Sequence, residues 1–168
     1  MEQRVGFGYD IHPVVPGRPL VLGGVKFDTD WGLQGHSDAD VLLHAVGDAL
    51  LGAASLGDLG THFPPADAAW KDASSLDLLR RIKTLLDAKQ CRVVNVDATL
   101  IAEGPRLAPA RERICANVAG ALGIEPGRVS VKATTNERLG SLGRGEGLAA
   151  CAVAMVELPA ASDRPGAR

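Results

Sequence analysis

The chain has few aromatic residues, no excess charge of either sign and no long apolar run. Aromatic side chains make up 4% of its 168 residues, and 18 lysines and arginines nearly balance 20 aspartates and glutamates. The net charge of -2 gives no electrostatic reason to expect a nucleic acid or an anionic membrane as a partner. No apolar run approaches the ~20 residues that a membrane-spanning helix needs, and no charged-then-apolar leader opens the sequence. We therefore expect a cytoplasmic protein that binds neither nucleic acid nor membrane.

The cysteines do not follow a disulfide pattern. Cys91, Cys115 and Cys151 are odd in number and stand singly in apolar stretches, which is typical of reduced thiols packed in a core. With 46% hydrophobic residues the chain can bury a core, and 168 residues are few for two domains. We expect one domain over residues 1–159 and a disordered tail over 160–168.

Hydrophobic periodicity predicts an α+β fold in which helices pack on one face of a mixed β-sheet with a four-stranded core. A helix is expected after Ser37, which would cap its N-terminus with Asp40 as the capping-box partner. Residues 61–73 contain two prolines and no period, so we expect a loop there. Strands are predicted at 4–13 and 20–27, which form a hairpin-like N-terminal extension, and at 93–104, 128–134 and 148–158. Further helices are predicted at 74–89 and 110–123.

Two polar residues in the first predicted strand point to one surface. In GYDIHPV, Asp10 and His12 lie two positions apart, and alternate side chains of a strand face the same way. They are either satisfied polar groups at a sheet edge or two ligands of a metal. His44 lies on the polar face of the first predicted helix and would complete an Asp/His/His set with an open coordination position, as in catalytic zinc centres. Its alternative role is that of an ordinary surface histidine.

Two further stretches suit phosphate binding. His36 and Ser37 lie at the predicted helix start, where free N–H groups attract anions, although Ser37 has the simpler role of a cap. KATTNE offers the hydroxyls of Thr134 and Thr135 and the carboxylate of Glu137, which suit Mg²⁺ or Mn²⁺ bridging phosphates. Threonines are also ordinary strand formers.

Four blocks of sequence, in order, resemble one enzyme family. They are DIH near the start, HSDADVLLHAVGDALLGAASLGDLG, IAEGPRLAP, and VKATTNERLGSLGRGEG. Together they resemble the 2-C-methyl-D-erythritol 2,4-cyclodiphosphate synthases of the non-mevalonate isoprenoid pathway, and the resemblance covers residues 3 to about 158. Pro65 stands where the family usually has an aspartate, and Ser141 stands where it has a phenylalanine lining an axial cavity.

The resemblance implies a role for each matching residue. Asp10, His12 and His44 match zinc ligands, Glu137 matches a ligand of a second ion, Mg²⁺ or Mn²⁺, and His36 and Thr135 match residues credited with stabilising the transition state. It also implies a homotrimer whose active sites lie between subunits. Substrate contacts are implied at Asp10, His12, His36, Ser37, Asp58, Gly60, Phe63, Asp67, Ala102, Pro105, Arg106, Leu107, Ala108, Ala133, Thr134, Thr135, Glu137 and Arg144.

The reaction implied by the resemblance is an intramolecular ring closure. The 2-phosphate of 4-diphosphocytidyl-2-C-methyl-D-erythritol 2-phosphate attacks the β-phosphorus and expels CMP, which makes the enzyme a phosphorus–oxygen lyase. Two other functions use the same residues. One is a metal-dependent phosphoesterase that activates water, and the other is a non-enzymatic nucleotide-binding or zinc-stabilised oligomerising module. An open coordination position argues against a purely structural zinc, because structural sites are closed and usually cysteine-rich.

Overall fold

A five-stranded mixed sheet forms the centre of the computed structural model, which describes residues 1–160. The strand order is β4-β1-β7-β5-β6, with β5 and β6 parallel and the other neighbours antiparallel. Two short strands, β2 and β3, form a separate hairpin. The strands are β1 Glu2–Pro16, β2 Leu20–Leu22, β3 Val25–Phe27, β4 Trp31–Leu33, β5 Arg92–Ile101, β6 Val129–Thr134 and β7 Gly147–Leu158. The predicted α+β class is confirmed.

Three long helices lie on one face of this sheet. The first packs on β1, β5 and β7, the third packs on β6, and the second packs on the other two helices. The first helix is buried on nearly every side between the sheet and the second helix. Its side chains are mostly small or aliphatic, which permits this burial. The helices are α1 Val41–Ala53, α2 Leu59–His62, α3 Ser75–Ala88, α4 Arg111–Leu122 and α5 Gly140–Gly143, of which α2 and α5 are single turns.

The backbones of strand β1 and helix α1 are in direct contact. A Cβ added to Gly8 would lie 2.0 Å from the carbonyl oxygen of Ala45, and one added to Gly6 would lie 1.9 Å from that of Ala49. The glycines of the strand and the alanines of the helix therefore allow a contact that larger side chains would prevent. This contact places the residues that follow Gly8 beside the first turns of α1.

The start of α1 differs from the prediction. The N-cap is Asp40, whose side chain accepts a hydrogen bond from the backbone N–H of Leu43, so Ser37 is not the cap. Asp40 also accepts the backbone N–H groups of Gly23 and Gly24. The deeply buried carboxylate thus joins the β2–β3 hairpin to the helix, and these added bonds favour it over a serine hydroxyl.

The N-terminal extension also pairs differently from the prediction. β1 does not form a hairpin with residues 20–27; it pairs with β4 on one side and β7 on the other, and residues 20–27 split at Gly23 and Gly24 into the β2–β3 hairpin. The predicted loop at 61–73 is partly wrong, because α2 ends in it and Ala68–Trp70 forms a 3₁₀ turn.

The remaining predicted elements are confirmed to within a few residues, and helix α4 ends at Gly123 in the left-handed conformation. The three cysteines are unpaired. Among residues 1–160, no helix has the length and apolarity required to cross a membrane. The predicted tail, except for Ala160, lies outside the described residues, and the single domain over 1–159 stays a prediction.

Gly8→Ala should destabilise the protein by at least about 1–3 kcal/mol, because the added methyl group overlaps the backbone of α1. Gly52→Ala is the matched control. Gly52 lies in α1 with nothing within 4 Å of its added Cβ, so the change should be neutral or stabilising by about 0.5–1 kcal/mol. Urea unfolding at equal protein concentration measures both changes. Equal stability of Gly8→Ala and the unmutated protein would contradict the close contact.

Candidate active site

Three side chains from β1 and α1 converge on one point. Oδ2 of Asp10 lies 2.9 Å from Nε2 of His12 and 2.9 Å from Nδ1 of His44, and the two nitrogens are 3.2 Å apart. Ligands of a tetrahedral ion about 2.0–2.1 Å away would be separated by about 3.3–3.4 Å, so the triangle is only slightly tighter than a zinc site requires. These residues form the only group of three or more His, Cys, Asp or Glu side chains with metal-site geometry in the described part of the chain.

The hydrogen-bond partner of His12 fixes which of its nitrogens is available. Nδ1 of His12 donates to the carbonyl oxygen of Gln34 at 2.7 Å, which leaves Nε2, 2.9 Å from Asp10, as the nitrogen available to an ion. A histidine ligand is commonly oriented in this way by a backbone carbonyl on its other nitrogen. The predicted Asp/His/His set is therefore brought together with donors that fit a divalent ion.

The electrostatic balance of the group also favours cation binding. Burial disfavours the carboxylate of Asp10, but hydrogen bonds and charge interactions with His12 and His44 hold its pKa well below its ordinary range. Asp10 therefore stays ionised. In the same region, burial raises the pKa of Asp48, which accepts the backbone N–H of Leu59.

The triad opens into a cavity of about 250 Å³. Of the other predicted residues, His36, Ser37, Gly60 and Phe63 line this cavity, and Pro65 does so as well. Four further lining residues are not predicted from the sequence. They are Asp48, Leu59, Trp70 and Leu78. Only Asp48 has a sequence pattern that could have predicted it, because it follows His44 by one helical turn.

The segment that carries His36 is held from both sides. The guanidinium of Arg18 donates to the carbonyl oxygens of Gly35 at 2.8 Å and Ser37 at 2.9 Å, and the carbonyl of His36 accepts the N–H of Asp72. His36 itself is exposed at the cavity wall. Its position depends on this clamp rather than on the N-terminus of α1, which begins only at Val41.

The predicted cytidine and second-metal residues lie elsewhere in the chain. They follow the ends of the parallel strands β5 and β6, which lie side by side. The N–H of Ala102 donates to the carbonyl oxygen of Thr134 at 3.0 Å and joins the two segments. Glu137 accepts the hydroxyl of Thr135 at 3.3 Å and is exposed. None of the following lines the cavity of the triad: Ala102, Pro105, Arg106, Leu107, Ala108, Ala133, Thr134, Thr135 and Glu137.

Three other predicted contacts also fall outside the cavity lining. Asp58 caps α2 through the N–H and hydroxyl of Thr61, and Asp67 accepts the N–H of Ala69. Arg144 pairs with Glu146 on the surface. Within one described chain, the predicted site is therefore divided into a metal half and a second half at the ends of β5 and β6.

Comparison with known proteins shows the family of the chain. The model of the YgbB family matches residues 3–157, which is nearly the whole chain. The chain belongs to the YgbB family. A similar member of this family is the 2-C-methyl-D-erythritol 2,4-cyclodiphosphate synthase of Symbiobacterium thermophilum, 59% identical over 152 residues that make up 90% of this chain and 97% of that protein. The synthase of Pelotomaculum thermopropionicum is 58% identical over 153 residues, 91% of this chain and 94% of that protein.

Solved structures of related proteins have the same fold as this chain. The bifunctional IspDF of Campylobacter jejuni matches with a TM-score of 0.90 and 37% identity, over 94% of this chain and 43% of that longer protein. The CDP complex of Plasmodium falciparum IspF matches with a TM-score of 0.82 and 33% identity, over 93% of this chain and 96% of the other. The resemblance found from the sequence is confirmed.

His44→Ala should leave the folded protein with little bound divalent metal, because two remaining ligands hold an ion poorly. His62→Ala is the matched control, since the ring of His62 bonds to the carbonyl of Leu56 and does not line the cavity. Elemental analysis of both purified variants measures the metal. Full occupancy in folded His44→Ala would contradict the ligand set.

Proposed function

We propose that the chain converts 4-diphosphocytidyl-2-C-methyl-D-erythritol 2-phosphate into 2-C-methyl-D-erythritol 2,4-cyclodiphosphate and CMP, as a phosphorus–oxygen lyase of the non-mevalonate isoprenoid pathway. The observation that carries the proposal is the converging triad of Asp10, His12 and His44 at the wall of a cavity, in a chain of the YgbB family. The unpaired cysteines suit a cytoplasmic location.

The proposed reaction joins two groups of the same substrate. An oxygen of the 2-phosphate forms a bond to the β-phosphorus, and the bond from that phosphorus to the bridging oxygen breaks, so the oxygen leaves with CMP. Both partners are anions, and their repulsion must be offset before they can meet. Zn²⁺ held by Asp10, His12 and His44 would supply positive charge to the β-phosphate, since one oxygen and two nitrogen donors suit that ion.

The residues of the chain itself orient the phosphates. His36, fixed by the Arg18 clamp, lies at the cavity wall, where it can donate a hydrogen bond to a developing negative charge. Phe63 and Trp70 contact edge to face with ring centres 5.1 Å apart and close the apolar side of the cavity. No protein nucleophile is needed, because the substrate carries its own.

The second half of the site is proposed for the nucleotide. Ala102 to Ala108 and Ala133 to Thr135 form adjoining segments at the ends of β5 and β6, which would hold cytidine largely through backbone groups. Glu137, beside Thr135, would hold Mg²⁺ or Mn²⁺ that bridges the phosphates. The CDP complex of the Plasmodium falciparum relative supports a cytidine nucleotide as ligand.

A homotrimer would join the two halves. The sheet face away from the helices carries Phe7, Tyr9 and Ile11 on β1, which are 65%, 51% and 46% exposed, with Val153 of β7 beside Phe7. Such a continuous apolar stripe is typical of a subunit interface. We propose that three chains pack through this face and that each metal half meets the nucleotide half of a neighbour.

Ring closure and hydrolysis differ in the source of the attacking oxygen. In ¹⁸O-labelled water the protein should give CMP and a cyclic diphosphate without label, because the 2-phosphate competes with water through its high effective concentration. Mass spectrometry of the products measures the label, and a known phosphodiesterase run in the same water is the control. Label in CMP or in a linear diphosphate would show that the chain is a phosphoesterase.

Mixed trimers test whether a site is shared between subunits. His44→Ala and Glu137→Gln trimers should each lose most activity, because one lacks the metal half and the other lacks the second carboxylate. The two variants are coexpressed under separate tags and purified as mixed trimers, which should regain activity. Every trimer that contains both variants has one interface at which an intact metal half meets an intact nucleotide half. Activity is measured after native mass spectrometry confirms the mixture. Recovery absent from confirmed mixed trimers would contradict the shared site.

A further inference from the structure

The second nitrogen of His44 has its own buried partner. Nδ1 of this ring points at Asp10, while Nε2 lies 3.0 Å from the hydroxyl oxygen of Ser75 and 3.2 Å from that of Ser37. Ser75 is the first residue of α3 and is only 2% exposed. Helix α3 therefore contacts the metal half of the site through a side chain that has no place in the substrate cavity.

The carboxylate of Asp38 fixes the direction of the Ser75 hydroxyl. Oδ2 of Asp38 accepts the backbone N–H of Ser75 at 2.9 Å, and Oδ1 accepts both the N–H of Asp40 at 3.2 Å and the hydroxyl of Ser75 at short distance. The hydroxyl proton of Ser75 therefore points at Asp38. The oxygen of Ser75 then faces His44 with a lone pair and accepts a proton from it.

We propose that Ser75, oriented by Asp38, is a positioning residue that fixes the tautomer of His44. With a proton held on Nε2 by Ser75, the ring would bind an ion through Nδ1, the nitrogen that faces Asp10 and His12. Ser37 is the weaker partner, because its contact is longer and its oxygen already accepts the N–H of Ala39. The inference rests on the metal-dependent function proposed above.

The hydrogen-bonded chain Asp38–Ser75–His44, called the relay below, also links two distant parts of the sequence. Asp38 precedes α1 and Ser75 begins α3, and the N–H of Asp38 donates to the carbonyl oxygen of Ala73 at 3.1 Å beside them. Outer partners of metal-bound histidines set both ring orientation and ligand basicity. A change at Ser75 should consequently act on the metal without touching substrate.

Ser75→Ala tests the relay through Zn²⁺ affinity, measured by competition with a chromophoric chelator. The affinity should fall by about 10- to 100-fold, as is usual when the outer partner of a histidine ligand is lost. Ser74→Ala is the matched control, because Ser74 caps α3 without a side-chain hydrogen bond, and its affinity should be unchanged. Unchanged affinity in Ser75→Ala would overturn the proposal.

The tautomer itself is measured in the unmutated protein, so the proposal stays testable even if Ser75→Ala does not fold. Long-range ¹H–¹⁵N correlation spectra of the Zn²⁺-loaded protein should show His44 protonated on Nε2 and bound to the ion through Nδ1. The chain has only 4 histidines, and His44→Gln identifies the signal. A proton on Nδ1 would overturn the relay. Failure of the unmutated protein to bind Zn²⁺ would contradict both the metal proposed for the reaction and the role of Ser75, whereas Zn²⁺ binding with unchanged affinity in Ser75→Ala would overturn the role of Ser75 alone.

Discussion

The close contact between the glycines of β1 and the alanines of α1 is the constraint on which the site depends. Gly8 leaves room for the carbonyl of Ala45, and the next positions facing the helix on β1 are Asp10 and His12. His44 immediately precedes Ala45, so the same contact that packs the core sets the spacing of the three ligands. A larger residue at Gly8 would separate strand from helix, and the ligand atoms with them.

Polar groups around this contact are satisfied by partners that also orient them. The carbonyl oxygen of Gln34 orients the ring of His12, and Arg18 fixes the segment that carries His36. Asp40 joins the β2–β3 hairpin to the start of α1. Because these partners are backbone groups, the half-buried Arg18 and the buried Asp40, the polar groups are already oriented before any substrate arrives. Such preorganisation is what an enzyme needs when its task is to hold two phosphates together.

Local patterns in the sequence predicted the ligands better than their surroundings. Strand periodicity is local and predicts Asp10 and His12, and helical periodicity predicts His44 because it lies on the polar face of the helix, one turn before Asp48. Ser37 was mistaken for the cap because Asp40 gains bonds from Gly23 and Gly24, which only the folded hairpin brings near. Ser75 and Arg18 could not be found at all, since their partners lie on distant segments and no spacing rule connects them.

The central claim is that Asp10, His12 and His44 hold one divalent ion through defined atoms. Anomalous scattering at the zinc edge, from crystals grown with Zn²⁺ and CDP, tests it most directly. The account predicts one strong peak about 2.0–2.2 Å from Oδ2 of Asp10, Nε2 of His12 and Nδ1 of His44. A zinc peak at other residues, no peak at the triad, or binding through Nε2 of His44 would contradict it.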